Sequence, residues 1–156
     1  MADGTIPQDQ KDILLSMGAW LKKYGEAVYA TRAWEKYGEG PTKMGAAHGV
    51  FQAPAEGTAK DIRYTRSKDN SKLYAILLGM DNGQKEILLN ALSSDSIDLK
   101  NLKSVELING SAGKYLSLSF KQTREGLVVN LPQISFQDLA YVLRLKFKDK
   151  IPSFKK

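Results

Sequence analysis

Apolar residues near the start of the chain fall at Ile13, Leu14, Met17, Trp20, Leu21 and Tyr24. That spacing places them on one face of a helix. Pro7 suits a first helical turn, where a missing N–H costs nothing. Gly25 comes directly after the last stripe residue, where helices commonly stop. The pattern therefore predicts an amphipathic helix over Pro7 to Tyr24, with Asp3-Gly4 as a turn before it. From Asp61 onward the period changes to two. Strands are predicted at Ile62–Arg66, Leu73–Leu78, Glu86–Leu92, around Val105 and Leu107, at Tyr115–Phe120, Leu127–Leu131 and Tyr141–Phe147. Asp69-Asn70-Ser71, Asp81-Asn82-Gly83, Asn109-Gly110 and Arg124-Glu125-Gly126 read as the turns between them. Leu116, Leu118 and Phe120 are expected to face inward, as are Leu127, Val129 and Leu131. Val142, Arg144 and Lys146 alternate with the inward Tyr141, Leu143, Leu145 and Phe147.

Between the two patterns, residues 35–60 carry Gly, Pro, Ala and Thr with little periodicity, and read as a long irregular connection. The fold expected is mainly β: an antiparallel β-sandwich preceded by one amphipathic helix. The expected divisions are 1–34 for the helix and its exit, 35–60 for the connection, 61–149 for the sandwich, and 150–156 for a mobile basic tail.

Composition narrows the functional classes. No run of about 18 apolar residues is present, so no membrane-spanning helix is expected. No secretory leader pattern opens the chain. Cysteine is absent, which removes disulfide and thiolate chemistry. The net charge is +6. A nucleic-acid adaptor is one reading of that charge, but Lys and Arg are scattered among acids, with a local cluster only from Arg144 to Lys156. The strands also lack the interleaved basic and aromatic residues of a single-strand binder. Neither nucleic acid nor membrane is expected as a partner.

Candidate chemistry is sparse. His48 is the only histidine, and without a second His or any Cys it makes no metal site. No metal and no cofactor is expected. Glycoside hydrolysis needs two carboxyl groups flanking the scissile bond, about 5–5.5 Å apart when configuration is retained. Acids are plentiful, but no motif marks out a pair. Glu39, between Gly38 and Gly40, is the one acid in an unusual setting. Trp34 and Tyr37 lie close to it in the chain, and aromatic rings stack on the C–H faces of sugars. Trp34, Tyr37 and Glu39 are therefore the carbohydrate-contact candidates. The competing reading is that the rings hold the connection to the sandwich and the acid sits in a turn.

The N-terminal stretch carries a family resemblance. Asp3-Gly4-Thr5-Ile6-Pro7, the run from Trp20 to Tyr29, Thr31-Arg32-Ala33-Trp34 and Tyr37-Gly38-Glu39-Gly40-Pro41 resemble the family 29 glycoside hydrolases, the α-L-fucosidases. Ala33 stands where proline is common in that family. The resemblance implies that the helix is the last one of a catalytic barrel, and that the remainder of the chain is the family's C-terminal β-domain. It implies a parent that removes terminal L-fucose from glycans with retention, and a periplasmic, secreted or lysosomal setting. The family's catalytic residues lie in barrel segments that no position here matches. None is carried over, and the chain by itself is expected not to be an enzyme. The resemblance makes the barrel and a fucosylated glycan the expected partners. The helix stripe Ile13, Leu14, Met17, Trp20, Leu21 and Tyr24 would face that barrel, or a second copy of the chain. A carbohydrate-binding sandwich module is the other reading.

Overall fold

A computed structural model describes residues 4–42, 57–81, 83–109, 114–133 and 137–155. His48, Asp3, Asn82, Gly110 and most of the predicted connection lie outside them. Helix α1 runs Gln8–Tyr24, with Pro7 as the extended residue just before it. Gly25 does not end the helix in the left-handed region. Its φ is −59°, and the chain tightens into a short 3-10 turn, Gly25–Ala27. A Cβ there would lie 2.6 Å from the ring of the exposed Tyr29, which would have to turn aside. The left-handed residue is Ala30, at φ 56°.

Among the described residues the helix is succeeded by nine strands: β1 (Thr31–Glu39), β2 (Ile62–Ser67), β3 (Lys72–Leu77), β4 (Glu86–Leu89), β5 (Leu102–Ile108), β6 (Tyr115–Leu118), β7 (Phe120–Gln122), β8 (Leu127–Asn130) and β9 (Tyr141–Phe147). They form a six-stranded sheet ordered β1-β2-β3-β9-β5-β6 and a three-stranded sheet ordered β4-β8-β7. The pairings of these strands are antiparallel. Leu73, Leu145 and Val105 are register neighbours, as are Ala75, Leu143 and Leu107. These six are buried together with Ile87, Leu89, Leu127 and Val129 of the smaller sheet. A buried Leu or Val side chain contributes about 1.5–3 kcal/mol.

The sandwich expected from the alternation is present, with four corrections. First, residues 35–39 are not irregular: they complete β1, so the six-stranded sheet begins at Thr31 rather than at Asp61. β1 is an edge strand, and Trp34 is its only buried residue. Edge strands need no apolar alternation, which hid it. Second, the run Tyr115–Phe120 is two strands. The chain leaves the large sheet after Leu118 and joins the small one at Phe120. Leu116 pairs with Leu107 on the edge strand β6 and is exposed rather than inward. Third, Glu86–Leu92 is strand only to Leu89, then a 3-10 turn, Asn90–Leu92. Fourth, the tail is not loose. Ile151 is buried, its N–H bonds Asn70 O at 2.7 Å, and Lys155 N–H bonds Ser96 O at 2.8 Å.

Among the described residues the helix meets the sandwich through its last turns. Tyr24 is buried; Trp20 and Leu21 are half-buried. Trp20 Nε1–H donates to Ala140 O at 3.0 Å. Tyr24 packs edge-on to Tyr141 at 6.5 Å. Ile13, Leu14 and Met17, on the same stripe, remain exposed.

Candidate functional site

The three carbohydrate-contact candidates all lie on β1, in three different environments. Trp34 is 5 % exposed. Its ring is held between Tyr64, edge-on at 5.3 Å, and Phe154 at 5.1 Å. Neither of its faces is open to a sugar. Tyr37 is 69 % exposed. Glu39 is half-buried, and its carboxylate accepts from Tyr64 Oη–H at 3.1 Å, Asn90 N–H at 2.9 Å and Ala91 N–H at 2.7 Å. It thus ties the edge of the large sheet to the first N–H groups of the 3-10 turn after β4, donors a helical turn cannot satisfy itself.

Two constellations go beyond the sequence expectations. One is Asp61, fully buried at the start of β2. Thr42 gives it N–H and hydroxyl bonds at 2.9 and 2.7 Å, and Thr58 gives it both at 2.7 Å. Arg63 Nη2 stands 3.7 Å away. One carboxylate thereby pins Thr42 and Thr58 together. Burial opposes its ionisation, but these donors outweigh burial and hold the carboxyl well below its ordinary range. Because the folded value is lowered, the stability Asp61 contributes is present above its ordinary pKa of about 3.9 and is lost as pH falls below it. Asp61→Asn should therefore lower the urea midpoint at neutral pH and flatten the acid loss of stability below about pH 4. An unchanged acid limb in the variant would remove Asp61 from this role.

The other is an ionic cluster where the 3-10 turn after α1 crosses the outer face of the large sheet. Tyr74, Arg144 and Glu106 are register neighbours on β3, β9 and β5, so they share that face. Arg144 Nε–H donates to Glu106 at 2.8 Å, and Nη1 lies 3.1 Å from Glu26. Glu26 also accepts from Tyr74 Oη–H at 2.8 Å and Tyr115 Oη–H at 2.6 Å, with Lys72 Nζ at 3.7 Å. The Arg144 guanidinium lies 3.3 Å over the Tyr115 ring centre. Burial pushes Glu26 up, but the bonds from Tyr115, Tyr74 and Arg144 prevail and hold it below the usual range. Val142 on the same face of β9 is buried too. An arginine between Leu143 and Leu145 on a central strand is the signal the sequence offers for this cluster.

A general acid for glycoside cleavage needs a raised pKa. Each displaced carboxyl among the described residues moves the other way: Glu26, Asp61, Asp69, Asp98 and Asp138 are all lowered. Among the described residues no group of three His, Cys, Asp or Glu could hold a metal ion. No described helix is long and apolar enough to cross a membrane. An apolar groove of about 880 Å³ lies between α1 and residues 137–140.

A sequence model of the alpha-L-fucosidase C-terminal domain matches residues 55–146. The chain is similar to alpha-L-fucosidase of Dictyostelium discoideum, 25 % identical over 147 residues, which are 92 % of this chain and 27 % of that protein. It is also similar to plasma alpha-L-fucosidase of Pongo abelii, 27 % identical over 144 residues, 88 % of this chain and 24 % of the relative. Among solved structures, Thermotoga maritima alpha-fucosidase superposes with a TM-score of 0.59 at 30 % identity, over 92 % of this chain and 28 % of that one. A GH29 alpha-L-fucosidase from Bacteroides thetaiotaomicron shares the fold, with a TM-score of 0.57 at 20 % identity over 94 % of this chain and 26 % of that one. The chain spans about a quarter of the length of the curated relatives it matches.

Proposed function

This chain belongs to the alpha-L-fucosidase C-terminal domain family, and from that premise we propose that it is the ancillary β-sandwich of an α-L-fucosidase, a structural partner of the catalytic barrel that performs no chemistry itself. The observation that carries this reading is the family match over residues 55–146, together with a likeness that extends through α1 to relatives about four times as long. The parent reaction is removal of terminal L-fucose from a glycan with retention. The barrel supplies its two carboxyl groups.

The division of labour rests on the geometry. The last turns of α1 and the 3-10 turn after it are fastened to the sandwich through Trp20, Tyr24 and Glu26. The apolar side of the helix left open, Ile13, Leu14 and Met17, is the surface offered to the barrel. It is also the surface available for self-association. The lowered carboxyl groups do not suit the general acid, which must donate a proton to the leaving sugar oxygen. A glycan-binding role rests on Tyr37 alone, the one candidate of the three with an open ring.

An aryl α-L-fucoside assay tests the proposal. The chain alone should show no turnover above the blank, and titration of a fucosylated glycan into it should release no heat. Turnover abolished by Asp61→Asn or Glu39→Gln would place catalysis here and defeat the proposal. Heat of binding lost in Tyr37→Ala would favour the carbohydrate-binding module instead.

A further inference from the structure

A polar hollow of about 450 Å³ lies between the β2–β3 turn, β1 and the C-terminal segment. Pockets that hold small ligands are of that order, roughly 300–1,000 Å³. Its place is independent of the open face of α1. The helix meets the sandwich at Ala140 and Tyr141, where β9 begins. The hollow is lined by residues from Lys150 onward, just past the end of β9 at Phe147. A strand of that length sets the two places about 20 Å apart.

The walls are fixed. Asn70 turns the chain in the left-handed conformation, φ 60°, and its O accepts from Ile151 N–H at 2.7 Å. Phe147 N–H bonds Ser71 O at 3.0 Å. The buried Trp34 lines the hollow as well, with Phe154 against its ring.

Three cations share the lining: Arg66 on β2, Lys68 in the turn and Lys150 after β9. None of them is in a salt bridge among the described residues. Arg66 is half-buried, and its register partner on β1 is another cation, Arg32. Like charges directly opposite one another destabilise a sheet. Two acids also line the hollow, Glu35 and Asp69. Asp69 is engaged within its own turn, accepting from Ser71 N–H at 3.1 Å, Ser71 Oγ–H at 2.9 Å and Ser67 Oγ–H. Glu35 is exposed. Cations gathered in a concave site raise the local concentration of anions.

The donors say which anion suits. A planar carboxylate is matched by the fork of a free arginine. Arg66 Nη1 already donates to Ser67 O at 3.4 Å, and the other two cations are lysines, point charges without a planar preference. Lysines from separate segments suit a group with negative oxygens on several sides. On a glycan that group is a sulfate ester.

We propose that this hollow binds the sulfate ester of an anionic glycan and holds such a glycan on the sandwich. The choice of a glycan rests on the fucosidase reading; the anion site rests on Arg66, Lys68 and Lys150.

Calorimetric titration of the whole chain tests this with a sulfated fucan oligosaccharide, the same oligosaccharide desulfated, and sodium sulfate. The sulfated oligosaccharide should release heat and the desulfated one none. Sodium sulfate should bind about tenfold more weakly or less. Lys68→Gln with Lys150→Gln, both at exposed positions, should keep the far-UV spectrum and weaken binding by about tenfold or more. Lys85→Gln with Lys121→Gln removes the same charge near the small sheet, and should change binding by less than about twofold. No heat from the sulfated oligosaccharide overturns the proposal, and so does equal heat from the desulfated one. Equal weakening by the two double variants traces binding to net charge and overturns the site. Sodium sulfate binding as tightly as the oligosaccharide assigns the hollow to a free oxyanion and overturns the glycan. None of these failures touches the ancillary-domain reading, which falls instead on turnover of the aryl α-L-fucoside.

Discussion

Arg144→Met should cost the chain about 3–5 kcal/mol of stability near neutral pH. The size reflects what is left behind. Arg144 is the shared partner of Glu26 and Glu106, and the side chains of Arg144 and Glu106 are about nine-tenths covered. Methionine fills much of the same volume but leaves two carboxylates facing each other without their cation. Truncating one member of a buried ionic cluster is far more damaging than replacing the cluster whole, because the stranded charge keeps its desolvation penalty. The penalty should depend on pH in one direction. Glu26 is held below its ordinary value. Its contribution is therefore present above about pH 4.3 and lost as pH falls through its folded value. Urea titrations of wild type and variant should show their gap narrowing below about pH 4. Adding Glu26→Gln and Glu106→Leu to Arg144→Met should recover much of the loss. A gap constant with pH would trace the effect to lost packing over the Tyr115 ring. No gap at neutral pH would show that the cluster holds nothing.

Trp34→Ala should cost a similar amount, about 3–5 kcal/mol, the range for truncating a buried Trp. The indole is the only buried side chain of β1, and it is packed between Tyr64 of β2 and Phe154 of the C-terminal segment. Its loss opens a cavity with walls from distant parts of the chain. The C-terminal segment should loosen first, because Phe154 loses its aromatic partner. Hydrogen exchange at Lys155 N–H, bonded to Ser96 O, should accelerate more than exchange in β3 or β9. Tyr37→Ala, three residues on and exposed, should shift stability by less than about 0.5 kcal/mol. If Trp34→Ala proved neutral while abolishing glycan binding, Trp34 would be a sugar contact after all.

Local patterns carry most of the architecture. A helix predicted over Pro7–Tyr24 is observed over Gln8–Tyr24. The turns at Asp69-Asn70-Ser71 and Arg124-Glu125-Gly126 connect the strands they are expected to connect. Where period-two alternation is strong, as in Leu127, Val129 and Leu131, the inward residues are buried. Pattern and structure part where position in the sheet overrides periodicity. β1 escapes prediction because an edge strand can be polar on both faces. The run Tyr115–Phe120 reads as one strand because alternation continues unbroken through Ser119, although the chain changes sheets there.

The motifs around α1 and β1 carry a resemblance to the α-L-fucosidases that the match of the C-terminal domain family over residues 55–146 agrees with, because a family resemblance is carried by residues in order along the chain. The amphipathic stripe is likewise a property of neighbours three and four apart. How the stripe divides is decided in three dimensions. Trp20 finds Ala140 at a separation of 120 residues, and Glu26 finds Arg144 at 118. Those contacts bury the last turns of the helix and stop there, which leaves Ile13, Leu14 and Met17 open. The same holds for Glu39 and Asp61. Their surroundings in sequence mark turns, whereas their partners are Tyr64 and Asn90 in one case and Thr42 with Thr58 in the other. Periodicity reports which side of an element is apolar. Which part of that side is covered, and which polar groups meet beneath it, depends on contacts between segments far apart in the chain, and these exist only once the sheets have formed.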